Sequence, residues 1–172
     1  MILIHTALLC EAQSFIEHYK LKKTNSVPKI YKNENILMCI SGVGAQNTLL
    51  ALEYIYKNYS ITKAFNIGIA GCNDHTISIG NLYCTNHTLD QINSLPLITS
   101  DTVVTSTHEK KPTLYDMEAK YFLEISTQYL RNNAIFIFKV VSDHLEDKRL
   151  SKDYIKKLIS NQDSLHKFIN LN

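Results

Sequence analysis

Short apolar runs alternate along this chain with segments of helical periodicity, and this alternation restricts the fold more than any other feature. Short apolar runs bounded by polar residues are typical of buried strands, and apolar residues three and four positions apart are typical of amphipathic helices. The runs predict strands at residues 2–9, 29–31, 36–40, 64–67 and 134–141, with weaker strands at 82–85 and 97–99. The helical spacing predicts helices at residues 11–19, 45–56, 117–129 and 152–169.

This order predicts the α/β class, with a mixed, mostly parallel central sheet flanked by helices, because strands that alternate with helices are joined by crossovers on both faces of a sheet. The 172 residues are 45% apolar and 20% charged, which is an ordinary globular composition, and they are enough to bury one substantial core. We therefore expect one three-layer domain that spans residues 1–172.

The charge distribution argues against a nucleic-acid partner. The chain has 18 basic and 16 acidic side chains, for a formal net charge of +2, and the two signs are largely interspersed. A short lysine-rich stretch at residues 20–23 is the main exception, and such a cluster is more often a solvated helix end than a phosphate contact.

The cysteines and the amino terminus predict a soluble, cytoplasmic protein without a membrane segment. The four cysteines, Cys10, Cys39, Cys72 and Cys84, show neither the close pairing of a redox motif nor the spacing of a zinc site, so we expect reduced thiols and no metal. The first apolar run lacks a basic flank and continues into Glu11, unlike a signal peptide. No apolar run approaches the roughly 20 residues that span a bilayer.

Polar or glycine-rich features follow three of the predicted strands. Glu11 follows the first strand, the sequence GIAG at residues 68–71 follows a middle one, and Ser142 and Asp143 follow the strand at 134–141. Ligands in open α/β sheets bind beyond the carboxyl ends of the strands, so these residues are candidates for a site. The alternatives stay open, because glycine pairs also form plain turns and Asp143 could simply cap a helix.

Glu118 is a sharper candidate, because it shares a predicted helix face with Phe122 and Ile125 and should point inward. A carboxylate on an apolar face must be paired, hydrogen-bonded or functional. The competing interpretation is an acidic residue near a helix amino terminus, which the helix dipole favours.

In chain order these segments read ALLCEAQSF, ISGVGAQNT, NIGIAGC, IGNLYC, ITSDTVVT, YDMEAKYFLEI and VVSDHLED. This series resembles the motifs of the nucleoside phosphorylase/nucleosidase superfamily, on its methylthioadenosine/S-adenosylhomocysteine nucleosidase side. The resemblance extends to about residue 147, and its most specific part is Met-Glu-Ala followed by a strand that ends in Ser-Asp.

The resemblance implies cleavage of a purine nucleoside at its N-glycosidic bond, without a metal or redox cofactor. Asp143 would be the general acid that protonates the base at N7, with Ser142 helping to position it, and Glu11 would orient or activate the attacking water. A carboxylic acid held protonated in a buried site suits the loss of a purine anion.

The resemblance also implies a set of substrate contacts. Glu118 would hold the ribose hydroxyls, Met117 would pack under the sugar, and backbone groups of Val103 and Val104 would bind the adenine. In the GIAG segment, Ile69 and Gly71 would contact the substrate. Family precedent further implies a homodimer. The aromatic side chains near one helix, Tyr54, Tyr56 and Tyr59, could belong to such an interface, although their spacing favours the core.

Two departures from the family pattern bear on the reaction. Asn66 and Ile69 occupy the places where phosphorolytic members carry the Arg and Ser that bind phosphate, so hydrolysis is favoured over phosphorolysis. The segment at residues 85–97 is shorter than in typical members, where it shapes the 5′ end of the pocket. The alternatives are a phosphorylase, an inactive nucleoside-binding protein of the same fold, or a flavodoxin-like or response-regulator-like domain. The last is disfavoured because neither a Ser/Thr-rich phosphate loop nor an acidic pair follows the first strand.

Overall fold

The computed structural model describes residues 1–171, which form nine strands, five α-helices and a 3-10 turn at Asn132–Ala134. The strands are β1 (Ile2–Thr6), β2 (Lys22–Lys23), β3 (Lys29–Lys32), β4 (Ile36–Ile40), β5 (Lys63–Cys72), β6 (Leu82–Cys84), β7 (Leu97–Thr99), β8 (Leu114–Asp116) and β9 (Ile135–Asp143). The helices are α1 (Leu9–His18), α2 (Ala45–Asn58), α3 (Ala119–Ser126), α4 (Lys152–Ser160) and α5 (Asp163–Leu171).

All nine strands belong to one mixed sheet. The central strands β4, β1, β5 and β9 are parallel neighbours in that order. The antiparallel strands β3 and β2 extend the sheet beyond β4, and β6 is antiparallel to β9. Strand β8 is antiparallel to the end of β5 and parallel to β7. The predicted α/β class with a mostly parallel sheet between helices is therefore confirmed.

Helices cover both faces of this sheet. On one face, α1, α4 and α5 pack over a core that includes Phe15, Phe65 and Phe138. On the other, α2 and α3 pack over a second core that includes Leu52 and Phe122. Successive residues of a strand point to opposite faces, so β5 and β9 each contribute to both cores.

The long strand β5 brings the other strand ends together. Its residue Gly71 pairs with Asp143 of β9 on one edge and with Tyr115 of β8 on the other. Strand β1 pairs with the first half of β5, so the loop after β1 lies beside the second half. The carboxyl ends of β1, β5 and β9 therefore meet the end of β8 in one region.

The predicted glycine loop at 68–71 is wrong, because these residues continue β5 instead of following it. Along one edge all four residues pair with β9, and on the other edge Gly71 pairs with β8, while the Ile69 amide donates to Glu11. The strand predicted at 2–9 is also too long: it ends at Thr6, and α1 begins at Leu9. The Glu11 carboxylate accepts hydrogen bonds from the backbone amides of Ala7 and Leu8, which stabilises the start of α1 at Leu9.

Two predicted helices have different bounds. The helix expected at 117–129 begins at Ala119, because the Asp116 carboxylate accepts the Ala119 amide at 2.8 Å and caps the first turn. The single helix expected at 152–169 is two helices, and Gln162 lies at the break between them. Its side-chain amide donates to the Gly80 and Leu158 carbonyls, so it is held by the connection into β6 as well as by α4.

The tyrosines of α2 and its end pack mainly against the chain's own core. Tyr54, Tyr56 and Tyr59 are partly buried beside the core under α2 and α3, and the Tyr56 hydroxyl donates to Ser126 at 2.9 Å. Among residues 1–171, no helix combines the length and the apolar character needed to cross a lipid bilayer.

Candidate active site

A cavity of about 200 Å³ opens where the strand ends meet. Its wall contains all nine residues that the sequence analysis assigned to a site: Glu11, Ile69, Gly71, Val103, Val104, Met117, Glu118, Ser142 and Asp143. They come from α1, β5, β9, the loop before β8 and the start of α3. The fold thus brings together residues that are up to 132 positions apart in the sequence. Their chemical roles stay predictions.

Glu11 is a buried carboxylate held by three backbone amides. Its Oε2 accepts hydrogen bonds from Ala7 at 3.1 Å and Leu8 at 2.8 Å, and its Oε1 accepts one from Ile69 at 3.1 Å. Burial raises the pKa of Glu11 to about 7, although these hydrogen bonds and the charge of Lys139 act in the opposite direction. A carboxyl group with a pKa near neutrality can take up and release a proton during a reaction cycle.

Gly68 makes room for this carboxylate. A Cβ atom at position 68 would lie 2.9 Å from Glu11 Oε1 and 3.5 Å from Lys139 Nζ. The first distance is shorter than a carbon and an oxygen tolerate, so the absence of a side chain is what allows Glu11 to reach the Ile69 amide. This glycine is needed for space and not for a special backbone angle.

Lys139 and Asp116 form a buried ion pair at the back of the cavity. Lys139 Nζ lies 2.7 Å from Asp116 Oδ2, and both side chains are almost fully buried. Burial alone would raise the pKa of Asp116, but Lys139 and the hydrogen bonds from Thr99 and Ala119 outweigh it and hold the pKa below its usual value. Asp116 is therefore an ionised carboxylate that fixes both Lys139 and the first turn of α3.

Glu118 lies at the amino-terminal end of α3 and is 8% exposed. Its Oε1 accepts the Gly44 amide at 2.8 Å, which links α3 to the SGVG loop before α2. Gly44 has a positive φ of 92°, a conformation that glycine adopts without strain. Burial raises the pKa of Glu118, and Lys139 opposes that rise.

Ser142 and Asp143 end β9 on the other side of the cavity. Asp143 Oδ1 accepts the Leu145 amide at 2.9 Å, and Oδ2 lies 2.6 Å from Ser142 Oγ. Ser142 Oγ also lies 3.2 Å from the Ala70 carbonyl oxygen. Ser142 therefore connects the Asp143 carboxyl group to the backbone of β5.

The remaining candidates, Val103, Val104 and Met117, also line the cavity. Val103 and Val104 lie in the segment between β7 and β8, and Val103 is 69% exposed. Met117 is half-buried between Asp116 and Glu118. These apolar side chains give the cavity a surface against which a flat or weakly polar ligand could pack.

Sequence reasoning missed the polar cluster behind the cavity, which contains Lys139, Asp116 and His5. The His5 ring is fully buried, with Nε2 2.9 Å from Ser41 Oγ and Nδ1 2.9 Å from the Asn66 side-chain nitrogen. Burial and the charge of Lys139 lower the pKa of His5 to about 3, so the ring is neutral. A lysine inside the apolar run IFIFKVV was a visible signal, because a buried lysine needs a partner.

The cavity wall is acidic. Four carboxylate residues line it, Glu11, Asp116, Glu118 and Asp143, and its lining within residues 1–171 includes no Lys, Arg or His. Over the same residues, no cluster of three or more His, Cys, Asp or Glu side chains has an arrangement that could hold a metal ion.

No family model matches this sequence, and no curated protein matches it either. Solved structures do match. The 5′-methylthioadenosine/S-adenosylhomocysteine nucleosidase of Helicobacter pylori, solved with butyl-thio-DADMe-Immucillin-A, aligns with a TM-score of 0.83 over 99% of this chain and 98% of its own, at 13% identity. The futalosine hydrolase of the same organism gives a TM-score of 0.82 over 99% and 97%, also at 13% identity.

A third structure, the nucleosidase of Chlamydia trachomatis, gives a TM-score of 0.76 over 99% of this chain and 96% of its own, at 16% identity. At such identities the likeness concerns the course of the backbone. The chain therefore has the nucleoside phosphorylase/nucleosidase fold.

Proposed function

We propose that the protein hydrolyses the N-glycosidic bond of a purine nucleoside with an adenine-type base, such as methylthioadenosine or S-adenosylhomocysteine, and releases the free base. The observation that carries this proposal is the convergence of Glu11, Glu118 and Asp143 on one cavity, each held by backbone amides in a different environment. Cleavage of such a bond needs an acid for the leaving base, a base for water and negative charge near the sugar.

In this proposal Asp143 is the acid. The bond between C1′ and N9 breaks as N7 of the base receives the Asp143 proton, so the purine leaves without a full negative charge. The position of Asp143 at the end of β9, in the wall of the cavity, supports this assignment. Ser142 and the Leu145 amide then hold the carboxyl group in place.

Glu118 and Glu11 act on the sugar and on water. Glu118 accepts hydrogen bonds from the ribose hydroxyls while the ring gains oxocarbenium character, and Met117 packs beneath it. Glu11 receives a proton from the water whose oxygen forms the new bond to C1′. The raised pKa of Glu11, about 7, suits a group that must accept this proton and release it again. Backbone groups of Val103 and Val104 bind the base, and Ile69 and Gly71 complete the wall.

The acidic lining supports hydrolysis over phosphorolysis. Phosphate binding relies on charge-assisted hydrogen bonds from Arg, Lys or backbone amides, whereas this cavity presents four carboxylate residues. Lys139 lies behind the wall and is already paired with Asp116. The carboxylates would therefore repel a phosphate dianion, whereas they would not repel a neutral water molecule.

The test is a base-release assay on purified protein. The panel contains methylthioadenosine, S-adenosylhomocysteine, adenosine and inosine, with futalosine added because one structural neighbour is a futalosine hydrolase. Free base is quantified with and without phosphate, for wild type, Asp143→Asn and a matched control, Asp147→Asn, whose side chain is exposed in the same loop. We expect phosphate-independent release that Asp143→Asn slows by at least about 100-fold and Asp147→Asn preserves. Release from none of the nucleosides would reject the proposal and point to a binding protein.

A further inference from the structure

Lys139 is the one buried Lys or Arg side chain within residues 1–171. Its aliphatic stem leaves the middle of β9, and its ammonium group lies under the cavity instead of reaching solvent. Taking an ammonium group out of water costs several kcal/mol unless partners compensate. The ion pair with Asp116 compensates part of this cost.

The Lys139 ammonium group lies among several titratable side chains. Titratable groups face it from four elements: His5 of β1, Glu11 of α1, Asp116 of β8 and Glu118 of α3. His5 is neutral, and Asp116 is the direct partner. The other two, Glu11 and Glu118, also line the cavity, and the hydrogen bonds that they accept come from backbone amides.

Gly68 brings the charge close to Glu11. Lys139 is the register partner of Gly68 across β5 and β9, and a Cβ at position 68 would touch both Lys139 Nζ and Glu11 Oε1. The ammonium group and the carboxylate therefore lie on either side of a space that only glycine leaves open.

We propose that Lys139 is a positioning residue that keeps Glu11 and Glu118 available as carboxylates by placing a cation behind them, and that Asp116 anchors it there. The effect on turnover rests on the proposed hydrolysis, whereas the effect on the two carboxylates does not. The pKa shifts of the two carboxyl groups agree with this geometry. Burial raises the pKa values of Glu11 and Glu118, and the charge of Lys139 lowers both. Without the cation, Glu11 would be protonated over more of the neutral range and could not accept a proton from water.

The decisive measurement is the titration of Glu11, followed by carbon NMR of its side-chain carboxyl and assigned with a Glu11→Gln variant. An opposite charge within about 4–6 Å lowers a carboxyl pKa by about 1–3 units. We expect the midpoint to rise by about one unit or more in Lys139→Met and to stay near wild type in Lys139→Arg. The matched control is Lys57→Met, an exposed lysine of α2, which should leave it unchanged.

A second variant covers the case in which Lys139→Met fails to fold with Asp116 unpaired. The double variant Asp116→Asn, Lys139→Met removes both charges, which buried pairs tolerate better than the loss of one partner. The Glu11 midpoint should rise in it as well. An unchanged midpoint in a folded variant that lacks Lys139 would overturn the proposal, because a purely structural lysine would not alter that titration.

Base release across pH then tests the link to turnover. The acidic limb of the rate profile should move to higher pH in Lys139→Met by the same amount as the Glu11 midpoint, and Lys139→Arg should restore it. If wild type releases no base while the midpoint still rises, the hydrolysis proposal fails and the assignment of Lys139 stands. A rate profile that stays in place while the midpoint moves would refute the link between Lys139 and turnover.

Discussion

Replacing Gly68 by alanine places a methyl group where the Glu11 carboxylate now lies. The added Cβ would be 2.9 Å from Glu11 Oε1, so the carboxylate must move away. The hydrogen bond that it then loses comes from the Ile69 amide at 3.1 Å, while the contacts with Ala7 and Leu8 on the other oxygen can persist.

The size of the effect follows from that one bond. A hydrogen bond to a charged group contributes about 1.5–3 kcal/mol. If the misplaced carboxylate loses this much in the transition state, kcat falls about 10- to 150-fold. Stability should suffer less, because the end of a glutamate side chain can shift and because Gly→Ala at an ordinary strand position stabilises by about 0.4–1 kcal/mol through the unfolded state.

A double-mutant cycle tests this reasoning. The assay is base release and thermal unfolding for Gly68→Ala, Glu11→Ala and the pair. We expect Gly68→Ala to lower kcat strongly in the wild-type background and to change it little once Glu11 is an alanine, because the two act through one contact. Equal losses in both backgrounds would refute the steric argument, as would an unfolded Gly68→Ala protein.

Three further predictions concern the acid, the substrate and the fold. Asp143→Asn should lower kcat by about 10²–10⁴-fold while the unfolding temperature stays close to wild type, since the amide oxygen can still accept the Leu145 hydrogen bond; base release and calorimetry check this. Phosphate at millimolar concentration should leave the rate of base release unchanged, and sugar phosphate among the products would contradict the acidic-cavity argument. His5 has a pKa of about 3 in the fold, against an ordinary value near 6.5, so it is neutral there. Its contribution to the free energy of unfolding is therefore complete above about pH 6.5. It decreases as the pH falls, by about 2 kcal/mol at pH 5. The difference in unfolding free energy between wild type and His5→Asn should shrink by that amount from pH 7.5 to 5. The comparison with His5→Asn isolates the effect of His5 from that of Glu11, whose raised pKa makes its contribution to stability increase as the pH falls.

The sequence predicted seven of the nine strands within residues 1–171, missing β2 and β8, and it placed two of the cavity's carboxylates. Periodicity placed Glu118 on an apolar face, and the structure shows it buried and directed at the Gly44 amide. The position of Asp143 after an apolar run placed it at a strand end. Both deductions use local information, which a sequence contains.

What the sequence did not show depends on long-range packing. The GIAG segment has the composition of a turn, and its pairing with β9 makes it a strand. The ion pair of Lys139 and Asp116 joins residues from β9 and β8, and nothing in the local pattern identifies that partner. The division of the last helix at Gln162 likewise depends on the Gly80 carbonyl, 82 positions away.

The three carboxylates assigned to the proposed reaction come from three layers of the protein. Glu11 belongs to the helical layer of α1, Asp143 to the sheet, and Glu118 to the opposite layer of α3. Helix α3 has only eight residues, and the hydrogen bond from Gly44 joins Glu118 to the loop before α2, its neighbour in the layer. Local detachment of α3 would separate Glu118 from its partners while the sheet and the layer of α1 stay intact. Activity at the site therefore depends on the packing of the helical layers against the sheet more than the secondary structure does. The chemistry can be lost while most of the fold persists.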